Sequence, residues 1–331
     1  MSGVSDTKIG QAASPQPLIA LITVIVTHYN YADMISTALQ SVLAQTYQNF
    51  ECIVVDDCSN TSQRDQLRQK ITELADGRIK LIELPANLGQ TNAIFEGLRH
   101  SSGEFIALLD PDDVYTPQFL EKMLHCHLNP CVYAAVASCE MGLFRVGGAK
   151  LSSTYSNFKY EAYLDGTLPK KEVQYLDFGF SAYYTPDTTG WIWCTTSSMM
   201  FRRDALLCLQ RESYMPDMKI CGDTYCVLGA HMLGGTLFVD DVLSWRGIHE
   251  ANSVEFSKVI SSRQKRHKNT FEDLSEDIRF FAAKTLVENG SFRTLPNKVL
   301  VNTLRANFQR HQLEELAALD TELSQILSLV T

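Results

Sequence analysis

The first third of the chain alternates short β-branched apolar runs with stretches of helical period. Leu21–Val26, Phe50–Val55, Ile79–Leu84 and Phe105–Leu109 have the length and composition of buried strands. Between them, Met34–Ala44 puts Ile35, Leu39, Val42 and Leu43 on one helical face. Thr61–Leu74 is polar apart from Leu67, Ile71 and Leu74, and Thr91–Arg99 turns Ala93, Ile94 and Leu98 inward. Such alternation predicts an α/β chain with a mostly parallel sheet, right-handed crossovers and helices on both faces, a three-layer α/β/α arrangement.

Each of these strands ends in polar residues: Thr27, Tyr29 and Asn30; Asp56 and Asp57; Asn87; then Asp110, Asp112 and Asp113. In an open parallel sheet all four ends share one edge, which is where ligands bind. Three carboxylates in the four positions 110–113 repel one another and raise each other's pKa, a cost that a divalent cation removes. Oxygen ligands suit Mg²⁺ or Mn²⁺, ions that share their shell with substrate phosphates. The alternative for this segment is a plain strand-to-helix turn, with Asp112 or Asp113 capping a helix near Pro117. Thr27–Asp33 contains no glycine, which excludes GxGxxG there, and no GxxxxGK[ST] loop exists. Phosphates would therefore be handled by the cation.

Beyond this third the period loosens. Val132–Ser138 reads as a further strand and Glu140–Thr189 as an irregular stretch rich in Tyr, Gly, Ser and Thr. Met199–Arg202 reads as a strand feeding a helix over Asp204–Gln210. A helix follows Gly222-Asp223 to Leu233, then come short strands at Gly235–Val239 and Val242–Trp245, and Arg246–His249 closes this part. From Arg263 onward the chain is helical in character. The expected divisions are a disordered lead-in over 1–17, a first half over 18–139, a second half over 140–255 and a helical C-terminal region over 256–331. The net charge of −9 excludes the basic stripe of a nucleic-acid surface. The nine cysteines include no CxxC pair and read as reduced thiols of an intracellular protein. No apolar stretch is long enough to span a bilayer, so the expectation is a cytoplasmic protein with room for peripheral contact at the inner face of a membrane.

The segments ITVIVTHYN (Ile22–Asn30), SVLAQTY (Ser41–Tyr47), VVDDCSN (Val54–Asn60), NLG (Asn87–Gly89) and SGEFIALLDPDD (Ser102–Asp113) together resemble family 2 glycosyltransferases of the Rossmann-like GT-A fold. The resemblance is specific over Ile22–Leu124 and weaker to His249. It implies an inverting, metal-assisted transfer of a sugar from a nucleoside diphosphate sugar, a UDP-sugar being favoured, to an acceptor hydroxyl on a glycan or lipid-linked acceptor. By that resemblance Thr27 and Tyr29 hold the base, with the Tyr ring stacked on it, and Asp57 accepts the N3–H of a uracil; Asn30 and Asn87 lie at the same donor edge. Asp112 is the first choice for direct metal ligand, with Asp110 and Asp113 assisting beside the diphosphate, and His249 approaches the metal from the second half. Asp223 stands where relatives carry the second member of a Glu-Asp pair and would deprotonate the acceptor. Trp191 and Trp193 are candidate platforms for a sugar acceptor, or else core.

Three departures stand out. Gly222 replaces the Glu of the pair. Gln90-Thr91-Asn92-Ala93-Ile94-Phe95 stands where relatives often carry a basic residue and an Asn. Pro111 stiffens the acidic turn. The missing Glu motivates a second hypothesis, a noncatalytic nucleotide-sugar-binding descendant. A third is a phosphotransferase with Asp110 as nucleophile, against which Tyr29 and Asp57 speak.

Overall fold

The computed structural model describes residues 19–130, 132–148, 150–152, 174–176, 181–211, 222–249 and 271–328. The lead-in expected over 1–17, most of the irregular stretch and the first residues of the C-terminal region lie outside the described residues. The strands are β1 (Ile22–His28), β2 (Phe50–Asp56), β3 (Ile79–Glu83), β4 (Phe105–Leu109), β5 (Val114–Tyr115), β6 (Val136–Arg145), β7 (Lys150–Ser152), β8 (Gln174–Leu176), β9 (Ser181–Tyr184), β10 (Met199–Arg202) and β11 (Thr236–Ile248). They form one sheet in the order β3-β2-β1-β4-β10-β6-β11-β9-β8, with β5 paired to β11 and β7 to β6. The sheet thus runs through both expected halves.

β1 lies parallel between β2 and β4, with Val26 level with Val54 and Leu109. β10 is antiparallel to β4 and β6, and β6 and β11 run parallel to each other. The carboxyl ends of β1, β2, β4, β6 and β11 therefore emerge at one edge, joined there by the 3₁₀ turn Thr196–Ser198 that leads into β10.

The helices are α1 (Ile35–Leu43), α2 (Thr61–Leu74), α3 (Gln90–His100), α4 (Phe119–His127), α5 (Arg203–Leu207), α6 (Gly222–Gly234), α7 (Phe271–Glu288), α8 (Asn297–Asn307), α9 (Arg310–Leu319) and α10 (Thr321–Ser328). Alternation along β1 sorts the core into two layers. Ile22, Val24 and Val26 meet Ile35, Leu39 and Val42 of α1 and Phe119 and Met123 of α4. On the opposite face Ile25 packs with Ile94 and Leu98 of α3 and with Tyr225 and Val227 of α6. α6 is buried almost all round, because α7 covers the side that the sheet does not, through Ala282, Ala283 and Leu286. The amino end of that buried helix is held rigidly at the sheet edge, and it carries Asp223.

Two strands differ from the sequence expectation. β6 runs through Arg145, where Glu140 was expected to open an irregular stretch. Ser138 and Glu140 interrupt the apolar pattern, yet both are buried and satisfied, Glu140 accepting from Met141 N at 2.9 Å. The two short strands expected at 235–239 and 242–245 are one strand, β11. Asp240 and Asp241 bulge outward between Val239 and Val242, and Lys122 Nζ donates to Asp241 at 2.6 Å. The described cysteines are all free thiols. Among the described residues no helix is long and apolar enough to cross a membrane.

Candidate active site

The ends of β1 and β2 are tied together by a buried carboxylate. Asp56 accepts from His28 Nδ1 (2.8 Å), Arg64 Nε (2.9 Å), Ser59 N (3.1 Å) and the Ser59 hydroxyl. Because Tyr31 N donates to His28 Nε2 at 3.2 Å, that nitrogen is the acceptor and Nδ1 carries the proton. Burial alone pushes the Asp56 carboxyl up, but the bonds from His28, Ser59 and Arg64 outweigh it and hold it at about 2. Asn30, at a positive φ of 60°, accepts from Asn60 N and Nδ2, both at 3.0 Å. Its side chain therefore ties the β1 end to the amino-terminal turn of α2.

Asp57 is 4% exposed and accepts from Leu88 N at 2.7 Å and Gly89 N at 2.8 Å. It thereby holds the Asn87–Gly89 turn against the β2 end, with the Asn87 side chain exposed. Tyr29 is 47% exposed, so its ring face is available, and Thr27 is half-buried beside it on β1.

The acidic turn after β4 divides its three carboxylates. Asp110 is anchored through its backbone N, which donates to Ser197 Oγ at 2.9 Å. Burial first, then the charges of Asp112 and Asp223, push its carboxyl up to about 7, against the pull of Thr196 and Arg246. Asp112 accepts from His249 Nε2 at 2.9 Å. Asp113 faces inward, 2% exposed, and accepts from Gly247 N on β11 at 2.9 Å. Burial, followed by Asp112 and Asp110, raises it well above the carboxylate range. Asp113 thus fastens the turn to β11, and the residues facing each other in the cleft are Asp112 and His249.

Arg246 pulls the Asp110 and Asp113 carboxyls down, and burial with the neighbouring acids outweighs it. Among the described residues no three of these side chains converge as a complete metal cage. The carboxylate and imidazole donors fit a divalent ion such as Mn²⁺ or Mg²⁺ that takes one or two protein ligands.

Asp223 is half-buried in the first turn of α6, with Thr224 N donating to its Oδ1 at 2.8 Å. Gln90 donates to Asp110 at 3.2 Å and accepts from the N of Gly222, the neighbour of Asp223, at 3.3 Å, so the first turn of α6 stands next to the acidic end of β4. Gly222 explains its own identity: a Cβ there would lie 2.8 Å from both Cα and N of Thr91. The amino ends of α3 and α6 touch, and no side chain fits at position 222.

Trp193 is corrected from acceptor platform to core. It is 3% exposed and its Nε1 donates to Thr236 Oγ1 at 3.0 Å. Trp191 packs edge-on against it at 5.4 Å and stays partly exposed. Two residues of the site escaped the sequence reading. Tyr31 stands edge-on to His249 at 5.5 Å, its hydroxyl pushed up to about 12 by burial and then by Asp112 and Asp110. Gly247 permits the closest approach in the site, because a Cβ there would sit 2.1 Å from the Asp112 carbonyl oxygen. Tyr31 directly follows the Tyr29-Asn30 pair, and no local pattern distinguishes it from a packed ring. Gly247 was visible only as a glycine next to a strand end.

Residues 23–208 match the model of glycosyl transferase family 2. An uncharacterized glycosyltransferase of Nostoc sp. is 28% identical over 250 residues, covering 74% of this chain and 70% of its own. The UDP-Glc:alpha-D-GlcNAc-diphosphoundecaprenol beta-1,3-glucosyltransferase WfgD of Escherichia coli is 39% identical over 109 residues, 33% of this chain and 42% of that protein. The chain thus spans less than half the length of that relative. Among solved structures, the mannosyltransferase PcManGT from Pyrobaculum calidifontis, in complex with GDP-Man and Mn²⁺, superposes with a TM-score of 0.52 at 17% identity over 94% of this chain and 84% of its own. S. aureus TarS 1-349, in complex with UDP-GlcNAc, gives 0.51 at 17% identity over 92% and 83%. With more than half of its length matched by the family model, the chain belongs to glycosyl transferase family 2 and has the GT-A fold.

Proposed function

We propose that this protein transfers a sugar from a nucleoside diphosphate sugar, with a UDP-sugar favoured, to an acceptor hydroxyl on a glycan or lipid-linked acceptor, with inversion at the anomeric carbon. The observation that carries the reading is the gathering, at the carboxyl edge of the sheet, of the Asp112–His249 pair and of Asp110, which Gln90 ties to the Gly222-Asp223 turn. Family membership supports the transferase class. The relative from Escherichia coli named for UDP-Glc, and the solved structures of this fold in complex with UDP-GlcNAc or with GDP-Man and Mn²⁺, support a nucleotide-sugar donor.

In this reading Thr27 and Tyr29 receive the base and Asp57 accepts from its N–H, while Asp57 also keeps the Asn87–Gly89 turn in place. Asp112 and His249 hold the cation, with Asp110 beside it and Asp113 locking the turn. The cation supplies charge stabilisation to the diphosphate as it leaves. Asp223 takes the proton of the acceptor hydroxyl as its oxygen attacks the anomeric carbon from the face opposite the diphosphate. Tyr31 walls the cation side and holds the His249 ring edge-on. A thermal-shift panel of nucleoside diphosphates and nucleotide sugars, with and without Mn²⁺, tests this. A metal-dependent rise in Tm with UDP or a UDP-sugar is expected, and no shift with any nucleotide would overturn the reading.

A further inference from the structure

We propose that Gln90 is a positioning residue that sets the separation between the donor-side acid Asp110 and the turn of α6 carrying Asp223. This inference rests on the functional reading above and adds to it a residue for which that reading has no role.

Gln90 is the first residue of α3, and its amide spans the cleft. Its Oε1 accepts from Gly222 N at 3.3 Å, and its Nε2 donates to Asp110 Oδ1 at 3.2 Å. The orientation of the amide follows from its neighbours: a backbone N–H can only donate, so the oxygen faces Gly222 and the NH₂ faces the carboxylate. A single side chain therefore touches the end of β4 and the start of α6, elements that meet the reaction from its two sides.

The base of this bridge is itself anchored. Gly89, the residue before Gln90, adopts a φ of 85° and donates its N–H to Asp57 Oδ2. Thr91, the residue after it, is fully buried against Gly222, so closely that no Cβ fits there. Gln90 is consequently held on both flanks while its amide reaches across. The arrangement links Asp57, Gln90, Asp110 and Gly222-Asp223 in one series of contacts. Asp223 must lie at attack distance from an anomeric carbon whose diphosphate is held on the Asp110 side. A bridge between the two supports is the direct way to set that distance. The neutral Gln90 amide contacts both partners without adding charge.

The test compares wild type with Gln90→Met, which keeps length and apolar bulk and removes both hydrogen bonds. Gln69→Met, on the exposed face of α2, serves as a control for the substitution itself. Hydrogen–deuterium exchange is read at the start of α6. Turnover of UDP-glucose and UDP-GlcNAc to free UDP, and the Kd for UDP with Mn²⁺, are read in parallel. In Gln90→Met, exchange over residues 222–226 is expected to speed up. The kcat is expected to fall about 10- to 100-fold, the scale of a misplacement near 1 Å, with KM and the UDP Kd within about twofold of wild type. Unchanged exchange in α6 would overturn the bridge. Unchanged kcat would overturn its consequence, and UDP affinity falling in step with kcat would make Gln90 a donor-binding group instead. Exchange does not depend on turnover. A wild-type chain that releases no UDP would therefore count against the functional reading, while exchange alone still decides the bridge.

Discussion

Gly247 of β11 lies directly against the peptide carbonyl of Asp112, so that the acidic turn and the last strand of the second half are in backbone contact. The same glycine donates its N–H to the Asp113 carboxylate. Gly247→Ala would place a Cβ 2.1 Å from that carbonyl oxygen, and the turn must move. A destabilisation of about 1–3 kcal/mol by overpacking is expected in urea unfolding, with a larger loss of Mn²⁺-dependent nucleotide binding. Full binding in a destabilised variant would separate the turn from the cation site.

Asp112→Ala removes the carboxylate that meets His249 and leaves the Asp113 fastening intact. Calorimetry with UDP should show Mn²⁺-dependent affinity falling by about a hundredfold or more, the upper end of what even an outer partner of a metal ligand costs. Unchanged metal-dependent binding would remove Asp112 as a ligand.

Asp57 has a structural role and a proposed one at the base, and its substitutions are chosen to separate them. Asp57→Ala leaves Leu88 N and Gly89 N without their acceptor, at about 1–3 kcal/mol for each buried group. Asp57→Asn keeps one acceptor oxygen and alters what a base N–H meets. The Asn variant should weaken UDP binding by about tenfold, as for the loss of a hydrogen bond to a charged group, and GDP binding less. Equal loss for both nucleotides would contradict a contact to the pyrimidine edge.

The first four strands and their polar ends were legible because each buried parallel strand is a continuous apolar run that stops where the sheet stops. Asp110, Asp112 and Asp57 follow from that edge. The second half was less legible for a definite reason. β6 and β11 carry Ser138, Glu140, Asp240 and Asp241, which interrupt the apolar pattern; burial with partners absorbs the first two and a bulge the others. Trp193 shows the limit of composition: a Trp in an extended segment does not reveal which face α6 will cover, and here His231 of α6 packs 5.2 Å from it. Gly247 and Gly222 acquire meaning only from tertiary approach, which no local pattern encodes.

Asp56 makes stability depend on acid. Its folded pKa is held at about 2, against about 3.9 in an unfolded chain. A depressed carboxyl contributes stability that is fully present above about pH 5 and is lost as pH falls through the unfolded and then the folded value. The contribution is about 2–3 kcal/mol. Asp56→Asn should therefore be less stable than wild type at pH 6, and the gap should shrink between pH 5 and pH 2 in denaturant titrations. A gap independent of pH would mean that the buried bonds from His28, Ser59 and Arg64 do not depend on the charge.

Asp223 is the sharpest test of the reaction itself. The neighbouring Glu expected from the family resemblance cannot be accommodated, since the backbone of Gly222 is pressed against Thr91. In the proposed reaction the acceptor's proton goes to Asp223, which sits in the first turn of α6 and whose charge helps raise the Asp110 carboxyl. Asp223→Asn preserves volume and the acceptor for Thr224 N but abolishes basicity. Sugar transfer should drop by about 10²- to 10⁴-fold, the range supplied by a positioned base, while UDP affinity with Mn²⁺ stays within about twofold. Full residual transfer would remove Asp223 as the base. A wild-type chain that binds UDP-sugar tightly but is as inert as the variant in single-turnover transfer would mark the noncatalytic descendant, with the tight α3–α6 contact at Gly222 as its structural cause.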